Sequence, residues 1–182
     1  MGRKIVLGLG VMAAMALPAS AAAKPPTKTD KTNAAKECRA ERGTDAATQE
    51  AFKAKYRNFG ACVSVRAKDE QAERKAARSN AAKDCRAERD ADVDAFREKY
   101  GTNHNKRNAF GKCVSQKAKA ERAEQDEADK QEIEATKNAA KECAAERDAD
   151  AQAFTEKYGT NHNKKNAFGK CVSGKSHEDD QP

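Results

Sequence analysis

The chain has 182 residues, 36% of them charged and 5% aromatic, with a formal net charge of +7. That composition, with a mean hydropathy of −1.04, borders on that of disordered chains and excludes one large apolar core. Six cysteines are the available substitute for burial.

Residues 1–23 read as a secretory signal peptide. Arg3 and Lys4 give a basic start, Ile5 to Leu17 an apolar run, and Ala21 or Ala23 a small residue for cleavage. The run is shorter than the roughly 20 residues of a membrane span, and no later stretch is apolar enough to serve as one. The expected product is secreted, extracellular or associated with the cell envelope, and has no transmembrane segment. Cleavage removes two basic and no acidic residues, taking the charge from +7 to +5.

After a flexible segment expected at 24–32 come three copies of one unit, at 33–68, 80–119 and 138–175. They open "NAAKECRAER", "NAAKDCRAER" and "NAAKECAAER". Residues 80–115 and 138–173 are identical at 30 of 36 positions. The first copy is looser, with 24 residues from Cys38 to Cys62 against 28 for Cys85–Cys113 and Cys143–Cys171, because it has three extra residues before Tyr56 and seven fewer after it, where the GTNHNK loop should be. All aromatic residues, six Phe and three Tyr, fall inside the copies. The copies are therefore the expected folded modules. Segments 69–79 and 120–137 are charged connectors, expected as solvated helices rather than a coiled coil, and 176–182 is an expected disordered tail.

The predicted fold is all-α: three small disulfide-clipped helical modules joined by charged helical connectors. No Pro lies between Thr27 and Gln181, and Ala, Glu, Lys, Arg and Gln dominate. In the second module, Asn80 is expected to cap a first helix and Asp92 a second, "VDAFREKY". Gly101 is the expected left-handed residue after it, and Asn108 the expected cap of "AFGKCVSQKAK". Phe96 and Tyr100, four apart, share one face. Residues 108–147 are expected to form a single rod of roughly 60 Å.

A module of about 40 residues rarely holds together by core alone. Spacing does not choose among the possible cysteine pairings. The recurrence of one pair per copy in an exported chain favours closure within each module, which contributes about 3.6 kcal/mol for a 28-residue loop.

Most of the remaining motifs read as structural. "DADVD" at 90–94 resembles the start of a calcium loop, but Ala95 stands where Gly is needed and Gly101 where the bidentate Glu belongs. Thr102-Asn103-His104-Asn105 and its twin at Thr160 read as turn chemistry, because one His per loop does not make a metal site. Gly60, Gly111 and Gly169 are expected to let two helices approach. No catalytic set, cofactor motif or redox CxxC is present, so the chain is expected not to be an enzyme and to carry no cofactor.

Charge segregation is the strongest functional signal. Basic residues without acids cluster in the second half of each module, and Lys99, Lys106, Arg107, Lys112, Lys157, Lys164, Lys165 and Lys170 are the candidate anion-binding set. The expected role is a non-catalytic, multivalent interaction or spacer protein whose partner the sequence does not identify, an anionic envelope polymer and an extracellular protein being the two candidates. The alternative is a binder of anionic envelope polymer or nucleic acid. The pattern "NAAKxCRAER … AFxxKYGTN … KNAFGKCVSxKAK" resembles a cysteine-paired helical repeat of exported actinobacterial proteins. That resemblance implies the same module boundaries and an exported location.

Overall fold

The computed structural model describes residues 25–178, so the expected signal peptide at 1–23 lies outside the described residues. Among the described residues the chain is helical without strands. Its elements are α1 (Lys28–Arg42), α2 (Ala46–Lys55), α3 (Phe59–Ala91), α4 (Val93–Tyr100), α5 (Ala109–Ala149), α6 (Ala151–Tyr158) and α7 (Ala167–Glu178). Each module has a long–short–long plan, α1–α2–α3, α3–α4–α5 and α5–α6–α7. The long helices are shared, because nothing in the Ala- and Glu-rich connectors stops them.

Disulfides Cys38–Cys62, Cys85–Cys113 and Cys143–Cys171 close the modules, with Cα–Cα separations of 6.0–6.1 Å. All six cysteines are fully buried. The short helix of each module lays its Phe and Tyr against that bridge. Phe52 and Tyr56, Phe96 and Tyr100, and Phe154 and Tyr158 stand with ring centroids 4.9–5.2 Å apart. Burying one such Phe contributes about 2 kcal/mol, so disulfide and aromatics stabilise each module on a similar scale.

Local signals account for most boundaries. Asp45, Asp92 and Asp150 cap α2, α4 and α6 through side-chain oxygens. α4 covers "VDAFREKY", as expected. α5, 41 residues long, makes a rod of about 62 Å.

Several expectations are corrected. α1 begins at Lys28, inside the segment 24–32, because Thr27 and Asp30 form a capping box. Asn80 caps nothing. It lies within α3, and its amide donates to Glu121 of α5 at 2.8 Å. Gly101 is not left-handed, with φ −74°. A Cβ there would stand 2.5 Å from the Arg97 carbonyl oxygen and 2.6 Å from Lys106 Cβ, so a close approach demands the glycine. In the two TNHN loops the left-handed residues are Lys106 and Lys164, at φ 53° and 51°. Asn108 precedes α5 without a capping bond.

The largest difference concerns the connectors, which are packed rather than solvated. α3 and α5 run antiparallel, and α1 lies antiparallel to α3. Ala67, Glu70, Gln71 and Ala77 of α3 and Ala118, Ile133 and Thr136 of α5 are buried along these contacts. The modules therefore form one body, with α2 of the first resting on α5 and α7 of the third.

Candidate functional site

Each disulfide fixes an arginine over a phenylalanine. The Arg lies four residues after the first Cys of its module, one helical turn along the same helix. The Phe lies three residues before the second Cys. The guanidinium carbon stands 5.5 Å from the ring centroid for Arg42–Phe59, 5.6 Å for Arg89–Phe110 and 4.8 Å for Arg147–Phe168, within cation–π range. Gly60, Gly111 or Gly169 follows the Phe and leaves the surface beside it flat.

These three faces differ in cover. In the third module α2 lies on it: Ala51 joins the cluster of Ala140, Phe168 and Val172, with Ala47 and Ala144 at its edge. Glu50 accepts two bonds from Arg147, at 2.7 and 2.8 Å. A Cβ built on Gly169 would stand 3.2 Å from Ala54 Cβ, so the expected helix approach is found there. It is not found at Gly111, where nothing lies within 4 Å, and Gly60 meets only the Asn58 side chain at 3.4 Å. Phe168 and Val172 are buried, whereas Phe59, Val63, Phe110 and Val114 are half-exposed.

The eight basic residues singled out by charge divide in two. Lys99 pairs with Glu88, Lys157 with Glu146 at 2.7 Å, and Lys106 with Glu98. Tyr100 and Tyr158 donate to the same two acids, Glu88 and Glu146, at 2.9 and 3.0 Å. The hydrogen bond from Lys99 is the main reason the Glu88 carboxyl is held down at about 2. These lysines are thus part of the module. Arg107, Lys112, Lys164, Lys165 and Lys170 make no ion pair among the described residues, and apart from half-buried Lys164 they are exposed.

The TNHN loops are tied to the residue expected to cap the next helix. Asn108 Oδ1 accepts from the backbone N–H groups of Thr102 and Asn103 at 3.1 and 3.4 Å, and its amide donates to Thr102 Oγ1 at 2.7 Å. Asn166 repeats this on Thr160 and Asn161. His104 and His162 are exposed. Among the described residues no group of three His, Cys, Asp or Glu side chains is placed to hold a metal ion.

A groove of about 830 Å³ runs between α2, α5 and α7. Its floor includes Ala51, Ala54, Phe168 and Val172, and its rim carries Lys53, Lys165 and Lys170. The rim acids are already engaged, Glu50 by Arg147 and Glu132 by Lys55. The groove therefore presents uncompensated positive charge above an apolar floor.

A second charged region, absent from the sequence reading, lies between α1, α3 and α5. Arg66 contacts Glu41 at 3.0 Å and Glu37, Asp129 and Glu132 at 3.8 Å. Arg122 pairs with buried Glu70, and Arg74 holds buried Asp30 through two bonds of 3.0 Å. Burial is the first cause raising the Glu37 carboxyl to about 8, reinforced by a hydrogen bond to Glu70. Burial likewise pushes Glu73 and Asp129 up. This layer fastens the first module to the connector of α5.

Against this geometry, no family model, no curated protein and no solved structure matches the chain.

Proposed function

We propose that the chain is an exported, non-catalytic interaction protein that binds an anionic macromolecule through basic side chains presented at more than one place. The observation that carries this reading is the split among the basic residues. Arg107 and Lys112 on the second module, and Lys165 and Lys170 at the same register on the third, are left uncompensated, while neighbouring lysines are neutralised. Unpaired surface cations attract polyanions at a cost in salt sensitivity. Continuous helices hold the two sites at a fixed separation, which favours simultaneous engagement. The expectation of independent modules on solvated linkers gives way to a rigid multivalent body.

The test is binding of the mature protein to polyglutamate and to single-stranded DNA at about 30 and 200 mM salt. Replacing Arg107, Lys112, Lys165 and Lys170 with Gln should remove most binding and flatten its salt dependence, with helicity and melting unchanged. Binding that is absent, or insensitive to salt and to these changes, overturns the anionic reading and leaves a spacer role.

A further inference from the structure

The Arg-over-Phe face occurs three times and is covered once. In the third module the cover is a short helix of the chain itself, which places small residues Ala47, Ala51 and Ala54 on the surface and a carboxylate, Glu50, on the arginine. The other two modules carry the same elements in the same register: Arg42, Phe59, Gly60 and Val63 in one, Arg89, Phe110, Gly111 and Val114 in the other. Among the described residues nothing lies within 4 Å of a Cβ built on Gly111 and only the Asn58 side chain meets one built on Gly60, although Val114 also packs on Ala77 and Ala81 of α3. Ala140, fully buried under α2, corresponds to Ala35 and Ala82, which are only half-buried. Arg147 has an acid from another module, whereas among the described residues Arg89 pairs with its chain neighbour Asp90 alone.

One substitution among the copies sharpens the contrast. Where the covered module has Ala144, which borders the same buried cluster as Ala47, the uncovered ones have exposed Arg39 and Arg86. The first open face therefore has two guanidinium groups beside its phenylalanine, and Arg86 holds the register of Arg39 in the second. Arg39 itself stands 6.0 Å from the Phe59 centroid. Because Ala47 and Ala144 border one cluster, an occupant resembling α2 brings its Ala47 position to the side of the face that carries the second arginine, and a carboxylate there extends the charge match.

We infer that the Arg–Phe–Gly faces of the first and second modules are docking sites for a short acidic helix of a partner protein, one per module, seated as α2 is seated on the third. This rests on the interaction reading above and names its partner. The helix fits through small residues against the glycine and phenylalanine, and through acids three apart that reach the two arginines. The chain's own short helices do not supply it. α2 is already engaged, and α4 and α6 carry Glu98 and Glu156 where α2 has Ala54, the residue closest to Gly169.

The probe is a peptide of residues 44–55 with Ala47→Glu and Phe52→Gln, stapled between positions 49 and 53 to hold the helix. Titrated into the mature protein and followed by NMR, it should bind two equivalents and shift the Gly60 and Gly111 amides. Gly111→Leu places a side chain into open space and Gly60→Leu meets only the Asn58 side chain at ordinary contact distance, so melting should hold while affinity falls about tenfold or more. A peptide carrying Glu50→Gln should bind several-fold more weakly. No binding, or one equivalent that survives the double leucine change and reports displacement of α2, overturns the inference. Polyglutamate binding by the same protein separates the two readings. If it persists with its salt dependence while the peptide fails, only the helix-docking assignment falls.

Discussion

Glu37 links the connector layer to pH. Its side chain is 17% exposed and lies 3.8 Å from Arg66. Even so, burial and the approach of Glu70 raise its carboxyl from 4.5 to about 8. Glu70 Oε1 is buried and accepts no other hydrogen bond, so it is the natural acceptor for a proton on Glu37. The folded protein therefore retains a proton that the unfolded chain releases above about 4.5. Stability from this group is complete below 4.5, falls as pH rises and is lost by about 8. A shift from 4.5 to about 8 sets a ceiling of about 5 kcal/mol. Partial exposure and Arg66 reduce this, and a loss of about 1–3 kcal/mol between pH 5 and 9 is expected. Glu73 and Asp129, also raised, act in the same sense. Asp30 and Glu88 are lowered by Arg74 and Lys99, and oppose it only at acid pH, where their protonation costs stability. Urea unfolding from pH 5 to 9 should show the decline in the parent and a much flatter profile in Glu37→Gln. The same slope in both proteins, or stability that rises over this range, would refute the reasoning.

Arg66→Met strands Glu41, whose side chain is 1% exposed, with Lys55 as its remaining cation, and should cost about 3–5 kcal/mol in chemical unfolding. Adding Glu41→Met should restore most of that loss. Cys85→Ser with Cys113→Ser should destabilise by about 2–5 kcal/mol, with hydrogen exchange accelerating most in α4. Lys106→Gly relieves a left-handed backbone at φ 53° and should raise stability by about 0.5–1 kcal/mol. Ala54→Leu forces a larger side chain against Gly169 and should cost about 1–3 kcal/mol while leaving the second module's exchange rates unchanged.

The modules were legible because their signals are local and repeated. One cysteine pair per copy, Asp92 ahead of an apolar pair four apart, and the confinement of aromatics to the copies each point to one structure. The connector packing was not legible, because its seam is not written in large apolar residues. On α5 the packed positions run Ala118, Arg122, Gln125, Asp129, Ile133, Thr136 and Ala140, three or four apart. The helical period is present but carried by alanine and charge, so a search for leucine-like seams passes over it. Pairing Arg66 with acids more than sixty residues away is not a local property at all. The Gly101 and Asn108 readings failed for a related reason. The loop routes its left-handed turn through Lys106 and draws the Asn108 side chain backwards onto Thr102, a choice made by loop closure rather than by the helix end. Among the site residues, the sequence singled out the lysines by charge but passed over Arg42, Arg89 and Arg147. Their recurrence four residues after each first cysteine was the available signal.

Seating of α2 on the third module underlies both the single-body fold and the contrast between covered and open faces. NMR on protein with labelled alanine methyl groups tests it directly. A cross-relaxation peak between the Ala54 methyl and the Gly169 α-protons is expected, given the 3.2 Å separation from a Cβ built on that glycine. Absence of that peak, together with independent tumbling of the first and third modules, would contradict the account.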